Sequence, residues 1–82
     1  MATHRVRLFH AAGCHLCERA RAVVANVRAE VPFELEEIDI GGDPALEAEY
    51  REWLPVVEID GKRAFVYYVD EAAFRRKVAA QS

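Results

Sequence analysis

The hydrophobic positions near the start of the chain change their spacing, which predicts a strand followed by a helix. Val6, Leu8 and Phe9 form a short apolar run that ends at residues 11–13, as expected of a first strand. Apolar residues then recur at positions i, i+4, i+7, i+8 and i+11, which places them on one face of a helix. This stripe consists of Leu16, Ala20, Val23, Val24 and Val27. Pro32 marks the end of this predicted helix.

The middle of the chain predicts a second strand and a second helix. The strand is expected over residues 33–40, where a break in the apolar alternation at Glu36-Glu37 predicts a β-bulge. Asp43 is a typical helix N-cap, and Pro44 suits the first helical position. The second helix therefore starts at Pro44, and Trp-Leu-Pro at 53–55 interrupts it.

The last third of the chain predicts a hairpin followed by a helix. A third strand is expected over 56–59, and Asp60-Gly61 is a strong signal for a two-residue hairpin turn. The turn leads to a fourth strand near 64–68, and Asp70 caps the last helix. The order β-α-β-α-β-β-α gives one parallel and one antiparallel pairing. It resembles a minimal thioredoxin-like α/β fold, a mixed four-stranded sheet flanked by three helices in a single domain over residues 1–82.

Composition and charge disfavour nucleic acid and membranes as partners of this chain. The chain has 82 residues, 52% hydrophobic and 30% charged, which is typical of a small globular domain. A net charge of −3 is not typical of a nucleic-acid-binding domain, which would carry a basic face. The apolar runs are too short to span a membrane, and no apolar stretch of signal-peptide length follows Arg5 and Arg7. We therefore expect a cytoplasmic protein with no membrane partner, and nothing requires more than a monomer.

Cys14 and Cys17 form a Cys-X-X-Cys pair where the first strand meets the first helix. A bridge between them closes a very small loop, so it stabilises the fold little and suits a reversible disulfide. Residues three apart at a helix start can bring their Cβ atoms to the roughly 4 Å that a disulfide needs. A Cys-X-X-Cys pair in this place within a β-α-β unit is typical of thiol–disulfide redox proteins.

The helix start favours different roles for the two sulfurs. Backbone N–H groups and the helix dipole stabilise an anion there, so we expect the pKa of Cys14 to lie below the free-thiol value of about 8.5. Cys14 is therefore the predicted nucleophile and Cys17, one turn deeper, the resolving thiol. Gly13 allows the sharp turn into the helix. His15 is a candidate catalytic residue that either stabilises the thiolate or moves a proton.

The cysteine pair has two other interpretations. An inert buried pair is disfavoured because a helix start favours thiolates. A zinc site needs two further ligands, and the chain offers only His4, His10 and His15 with no second cysteine pair, so we expect no metal.

Ordered motifs along the chain resemble those of the glutaredoxin-like family, from about Val6 to Val78. They are Gly13-Cys14-His15-Leu16-Cys17, Ile38-Asp39-Ile40, Asp43-Pro44-Ala45-Leu46, Leu54-Pro55-Val56-Val57 and Asp60-Gly61-Lys62. The resemblance implies a disulfide oxidoreductase. The alternative is a non-catalytic thioredoxin-fold binding module or an iron–sulfur cluster carrier. The retained Cys17 favours the enzyme, because cluster-carrying relatives usually have serine there.

The resemblance also implies a substrate-binding edge. Pro55 corresponds to the cis-proline of the fold, beside Cys14, and the backbone of Leu54 would pair with a substrate in strand fashion. Gly13 belongs to the same predicted edge. Asp70, with Glu71, occupies the place of acidic residues that meet the amino group of glutathione.

The departures from the family pattern concern glutathione. Ala11 stands where a basic residue is usual, and Tyr67-Tyr68 stand where a Gly-Gly pair lets glutathione approach. We therefore expect weak use of glutathione, or another small thiol or a disulfide-containing protein as partner. A reductase or an external thiol would reset the pair, and no tightly bound cofactor is expected.

The remaining candidates have ordinary structural interpretations. Trp53 is expected in the core, with a place in the substrate groove as the less favoured interpretation. One of Tyr67 and Tyr68 should be buried, because neighbouring strand residues face opposite sides. His10 is expected to end a strand without a chemical role, with orientation of a substrate or modulation of Cys14 as the less favoured interpretation. Glu34, Glu36 and Glu37 are expected to form a solvated face rather than a partner site.

Overall fold

The computed structural model describes residues 3–80, which form four strands, three α-helices and a short 3₁₀ helix. The elements are β1 (Arg5–His10), α1 (His15–Arg28), β2 (Glu34–Asp39), α2 (Pro44–Tyr50), the 3₁₀ helix (Arg51–Trp53), β3 (Val56–Ile59), β4 (Lys62–Val66) and α3 (Glu71–Ala79). None of these helices combines the length and the apolar character needed to cross a membrane.

The strands form one mixed sheet in the order β2-β1-β3-β4. β1 and β2 are parallel, because α1 carries the chain back to the same end of the sheet before β2 begins. β3 runs antiparallel to β1 and to β4. The predicted mixed sheet with three helices is confirmed, and this strand order is that of a thioredoxin-like fold.

One face of the sheet carries the larger core, beneath α1 and α3. Its buried members are Val6, Leu8, Ala20, Val24, Val27, Phe33, Val57, Phe74 and Val78. The ring of Phe74 lies edge-on to Phe33, at 5.5 Å between centroids, and to Phe65, at 6.3 Å. Phe74 thus packs α3 against residues at both outer strands of the sheet, since Phe33 directly precedes β2 and Phe65 lies in β4.

The opposite face carries a smaller core beneath α2, made of Phe9, Ile40, Tyr50 and Val56. The rings of Phe9 and Tyr50 stack at 4.0 Å between centroids. The Tyr50 hydroxyl donates a hydrogen bond to Glu58 at 3.1 Å. Burial, followed by the negative charge of Glu58, raises the pKa of Tyr50. α2 therefore anchors the end of the sheet where β1 finishes and β3 begins.

The bulge predicted at Glu36-Glu37 is wrong. β2 pairs with β1 in an unbroken parallel register from Arg5 and Glu34 to His10 and Asp39. The apolar alternation breaks because β2 contributes apolar side chains to both faces of the sheet. Leu35 packs on the larger core on one face, and Ile38 packs on the smaller core on the other. The bulge of this sheet lies between Val57 and Glu58 in the β3–β4 pair.

The Asp60-Gly61 hairpin is confirmed, but the following strand differs from its predicted bounds. Both turn residues have positive φ, 53° for Asp60 and 82° for Gly61, as a two-residue hairpin turn requires. β4 starts directly after the turn at Lys62 and ends at Val66, not near 64–68. It ends early because Tyr67 adopts a φ of 65°, which leaves the extended conformation.

Candidate redox site

The cysteine pair sits at the junction of β1 and α1, as the sequence predicts. Gly13 has a φ of 77°, a conformation that glycine adopts without steric cost. The Cys14 amide donates to the Ala11 carbonyl at 3.4 Å, which closes the turn between the strand and the helix. Cys14 itself is the extended N-cap residue of α1, with φ −91° and ψ 103°. The turn therefore presents the side chain of Cys14 at the start of the helix.

Cys14 and Cys17 are joined by a disulfide, with 5.2 Å between their Cα atoms, a separation usual for such bonds. The Cys17 amide N–H donates to Cys14 Sγ at 3.1 Å. Cys17 is only 2% exposed, whereas Cys14 is half-buried. The more accessible sulfur is thus the one that receives a backbone N–H.

His15 points away from the sheet into solvent. Its side chain is 93% exposed, and its Nδ1 lies 3.6 Å from Glu18 Oε2, one turn along α1. The catalytic role of His15 stays a prediction.

Leu54 and Pro55, the predicted substrate edge, lie at the same end of the sheet as the cysteine turn. The Leu54–Pro55 peptide bond is cis, which confirms that prediction. β1 and β3 pair through Phe9 and Val56, so the next step of the register sets Pro55 beside His10. Leu54 and Ala11 both pack against the smaller core. The structure therefore brings the predicted substrate edge and the cysteine turn together.

Asp70 lies further along this edge, where β4 leads into α3. It is the exposed N-cap residue of α3, but its carboxylate makes no capping hydrogen bond. Asp43, by contrast, accepts from the amides of Ala45 at 3.1 Å and Leu46 at 3.2 Å, so the cap predicted for α2 is confirmed.

Three aromatic side chains at this end of the sheet are exposed, whereas the sequence predicts only one of them, a tyrosine, at the surface. Trp53 is 42% exposed, Tyr67 39% and Tyr68 69%, so neither the core position of Trp53 nor a buried member of the tyrosine pair is correct. The positive φ of Tyr67 breaks the strand alternation on which the tyrosine prediction depends. The adjacency of Trp53 to Leu54-Pro55 was the available signal for an exposed position.

The edge also holds His10, which is half-buried and whose carbonyl accepts from the Ile40 amide at 2.9 Å. Between residues 3 and 80, no three His, Cys, Asp or Glu side chains are grouped as metal ligands would be.

A mixed sheet of this order, with a Cys-X-X-Cys disulfide at the first strand–helix junction, defines a thioredoxin-fold protein with a thiol–disulfide redox site. Solved structures agree. A protein from Nitrosomonas europaea, Ne2328, matches with a TM-score of 0.78 and 26% identity over 95% of this chain and 94% of that one. A protein from X. campestris, XcR50, matches with a TM-score of 0.75 and 27% identity over 94% and 99%. A thioredoxin from Halobacterium salinarum shares the fold, with a TM-score of 0.70 and 19% identity over 98% and 78%.

Sequence comparison gives the family. The model of the Glutaredoxin-like domain (DUF836) matches residues 5–79, and the chain belongs to this family. An uncharacterized protein of Mycobacterium tuberculosis is 34% identical over 96% of this chain and 87% of its own length. An uncharacterized protein of Mycobacterium bovis matches to the same extent.

Proposed function

We propose that the protein is a thiol–disulfide oxidoreductase in which Cys14 attacks and Cys17 resolves. The observation that carries this proposal is the hydrogen bond from the Cys17 amide to Cys14 Sγ, 3.1 Å long, at the first turn of α1. In the reduced protein the same N–H faces a thiolate, and an N–H bond to an anion is stronger than one to a neutral acceptor. The thiolate is the nucleophile of disulfide exchange, so the fold favours the reactive form of this sulfur.

The reaction runs in two exchanges that balance. Cys14 thiolate attacks one sulfur of the substrate disulfide, a bond forms between them, and the electron pair of the broken S–S bond leaves on the other substrate sulfur. Cys17 thiolate then attacks Cys14 Sγ and releases the second substrate sulfur as a thiolate. The substrate is reduced by two electrons, and the protein is left with the Cys14–Cys17 disulfide found here.

Leu54, Pro55 and Gly13 are proposed to form the edge against which the substrate lies. Support comes from the register of β1 and β3, which sets Leu54-Pro55 beside the cysteine turn. A substrate in extended conformation would use backbone hydrogen bonds at this edge, as in strand addition. A disulfide approaching Cys14 would then be aligned for in-line attack.

The partner that resets the pair is proposed to be an external thiol or a reductase. Asp70 is the proposed contact for the amino group of glutathione, and it is exposed at the start of α3. Tyr67 lies between β4 and α3, and its hydroxyl donates to the Glu52 carbonyl. We therefore propose weak use of glutathione and a disulfide-containing protein as substrate.

Replacement of each cysteine tests the mechanism. Cys14→Ser should abolish reduction of a chromogenic aromatic disulfide by the pre-reduced protein, because the attacking sulfur is gone. Ala22→Ser, an exposed position on the same helix, is the matched control and should react as the parent does. A Cys14→Ser variant that reduces the disulfide at the parental rate would contradict the proposal.

Cys17→Ser should stop the reaction halfway. The variant should keep one substrate sulfur on Cys14 as a mixed disulfide, because the resolving thiol is missing. Intact-protein mass spectrometry before and after addition of a reductant measures the adduct. A variant that gains no reducible adduct would show that the assigned order of the two sulfurs is wrong.

A further inference from the structure

All the exposed large hydrophobic side chains within residues 3–80 lie next to Leu54-Pro55 or to the end of β4 in the chain. Trp53 directly precedes Leu54-Pro55, while Tyr67 and Tyr68 directly follow β4. The Tyr67 amide donates to the Pro55 carbonyl at 3.0 Å, which extends the β3–β4 pairing to this end. Of the three, only Trp53 and Tyr67 contact each other, and an exposed apolar patch on a small domain indicates an interaction site.

Trp53 and Tyr67 are held together as a pair. Their ring centroids are 6.2 Å apart, and the Tyr67 hydroxyl donates to the Glu52 carbonyl at 2.9 Å. Tyr67 keeps this position at a φ of 65°, a backbone conformation that bulky residues rarely adopt. Tyr67 is thus held by three separate contacts, through its hydroxyl, its ring and its backbone amide, in a backbone conformation that bulky residues disfavour.

The Trp53–Tyr67 pair lies within reach of a peptide attached to Cys14. Tyr67 follows β4, which is two strands from β1 in the sheet order, and two strand spacings amount to about 10 Å. Three residues of extended chain cover about the same distance. The side chains close to a substrate half-cystine would therefore meet the Trp53–Tyr67 pair.

The charged residues near the Trp53–Tyr67 pair indicate which charge on a substrate side chain would be favoured there. Glu52, whose carbonyl anchors Tyr67, is exposed and makes no ion pair with any of the described residues. The neighbouring Arg51 is already paired with Glu47. A basic side chain of the substrate would complement Glu52.

We propose that the Trp53–Tyr67 pair is a specificity subsite for polypeptide disulfides. It takes an extended substrate segment with an aliphatic side chain within three residues of the half-cystine, and Glu52 favours a lysine or arginine beside it. This inference rests on the proposed function. It adds the substrate class: a protein disulfide in an apolar and basic segment.

Two synthetic peptides test the subsite. Each carries one cysteine in a mixed disulfide with a chromogenic aromatic thiol. The apolar-basic peptide has Leu and Lys within three residues of the cysteine, and the polar-acidic peptide has Ser and Glu there. Pre-reduced protein should release colour roughly tenfold faster from the apolar-basic peptide, the effect of one packed aliphatic side chain. Equal rates for the two peptides would overturn the inference.

Variants assign the preference to the pair. Tyr67→Gly suits the positive φ, so the fold should be retained while the ratio of the two rates falls to near one. Trp53→Ala should lower the same ratio. Glu52→Gln should also lower it, but only by removing the attraction between Glu52 and the lysine of the peptide. Tyr68→Ser is the matched control, since Tyr68 makes no aromatic pair within residues 3–80, and should keep the parental ratio.

The outcomes distinguish a failure of the subsite from a failure of the proposed function. A parental ratio in Tyr67→Gly, or an equal fall in Tyr68→Ser, would overturn the subsite while the redox function stands. Failure of the reduced parent to release colour from either peptide would overturn the proposed function itself, and the subsite with it.

Discussion

At the level of single residues, Cys14 and Cys17 have the same chemistry but different surroundings. Cys14 Sγ accepts a hydrogen bond from the Cys17 amide at the start of α1, and the Cys17 side chain is buried in the first turn of the helix. An amide donor stabilises an anion, whereas burial in apolar surroundings disfavours one. In the proposed mechanism, the helix turn therefore gives the nucleophile and the resolving thiol different surroundings.

The first prediction concerns the acidity of Cys14. In a Cys17→Ser background, thiolate absorbance should rise with pH around a midpoint below about 8.5, the value of a free thiol. Adding His15→Ala should move this midpoint little, because the His15 side chain is 93% exposed and lies beside Glu18. A midpoint at or above the free-thiol value would show that the helix start does not activate Cys14.

At the level of elements, His4 links three parts of the chain. Its Nδ1 lies 2.5 Å from Asp60 Oδ2 in the hairpin turn, and its Nε2 lies 2.5 Å from the Ala80 carbonyl at the end of α3. Asp60 also accepts from the Arg5 amide at 2.9 Å. Both ring nitrogens face acceptors, so both bonds form only when the imidazole is protonated.

These contacts shift two pKa values in opposite directions. The Ala80 carbonyl, followed by Asp60, raises the pKa of His4 above 6.5. The Arg5 amide, followed by His4, lowers the pKa of Asp60 below 3.8. The contribution of His4 to stability is complete below 6.5 and is lost as pH rises through its raised pKa. The contribution of Asp60 is complete above 3.8 and is lost as pH falls through its lowered pKa.

The second prediction is that removing His4 lowers the free energy of unfolding by an amount that depends on pH. His4→Ala should lower the free energy of unfolding by up to about 1 kcal/mol at pH of about 5, the range of a partly exposed ion pair, and by less at pH of about 9. Urea unfolding at the two pH values measures it. His15→Ala, at an exposed position on α1, is the control. A loss for His4→Ala that is the same at both pH values would rule out a protonated His4.

Several elements could be predicted from the sequence because their signals are local. The Asp43-Pro44 start of α2 and the Asp60-Gly61 turn depend on capping and on positive φ, which neighbouring residues decide. The end of β4 could not be predicted, because Tyr67 leaves the strand conformation to make contacts with Trp53 and Glu52 that are distant in sequence.

At the level of the whole molecule, the larger core depends on Phe74. This residue is fully buried and touches the rings of Phe33 and Phe65. The third prediction is that Phe74→Ala lowers the free energy of unfolding by about 3–5 kcal/mol, as expected for loss of a buried ring. Domains of this size have about 5–15 kcal/mol in total, so a lower midpoint in urea should be evident. Tyr68→Ala at the surface should change it by no more than about 0.5 kcal/mol, and equal losses in the two variants would contradict this account of the core.

The candidate site was predictable where chain order alone determines it. Cys14 and Cys17 follow from the Cys-X-X-Cys pair at the end of an apolar run, and the Leu54-Pro55 edge from a resemblance over several motifs. The ion pairs from Arg5 to Glu34 and from Arg7 to Glu36 depend on the parallel register, which no local pattern shows. The exposed Trp53–Tyr67 pair likewise depends on how β4 lies beside β3.

The unequal access of the two sulfurs determines how any partner becomes attached. With Cys17 beneath the surface and Cys14 at the rim, every covalent complex should be linked through the same atom and in the same orientation. Captured complexes should then form one uniform species, suited to crystallisation and to mapping by proteolysis and mass spectrometry.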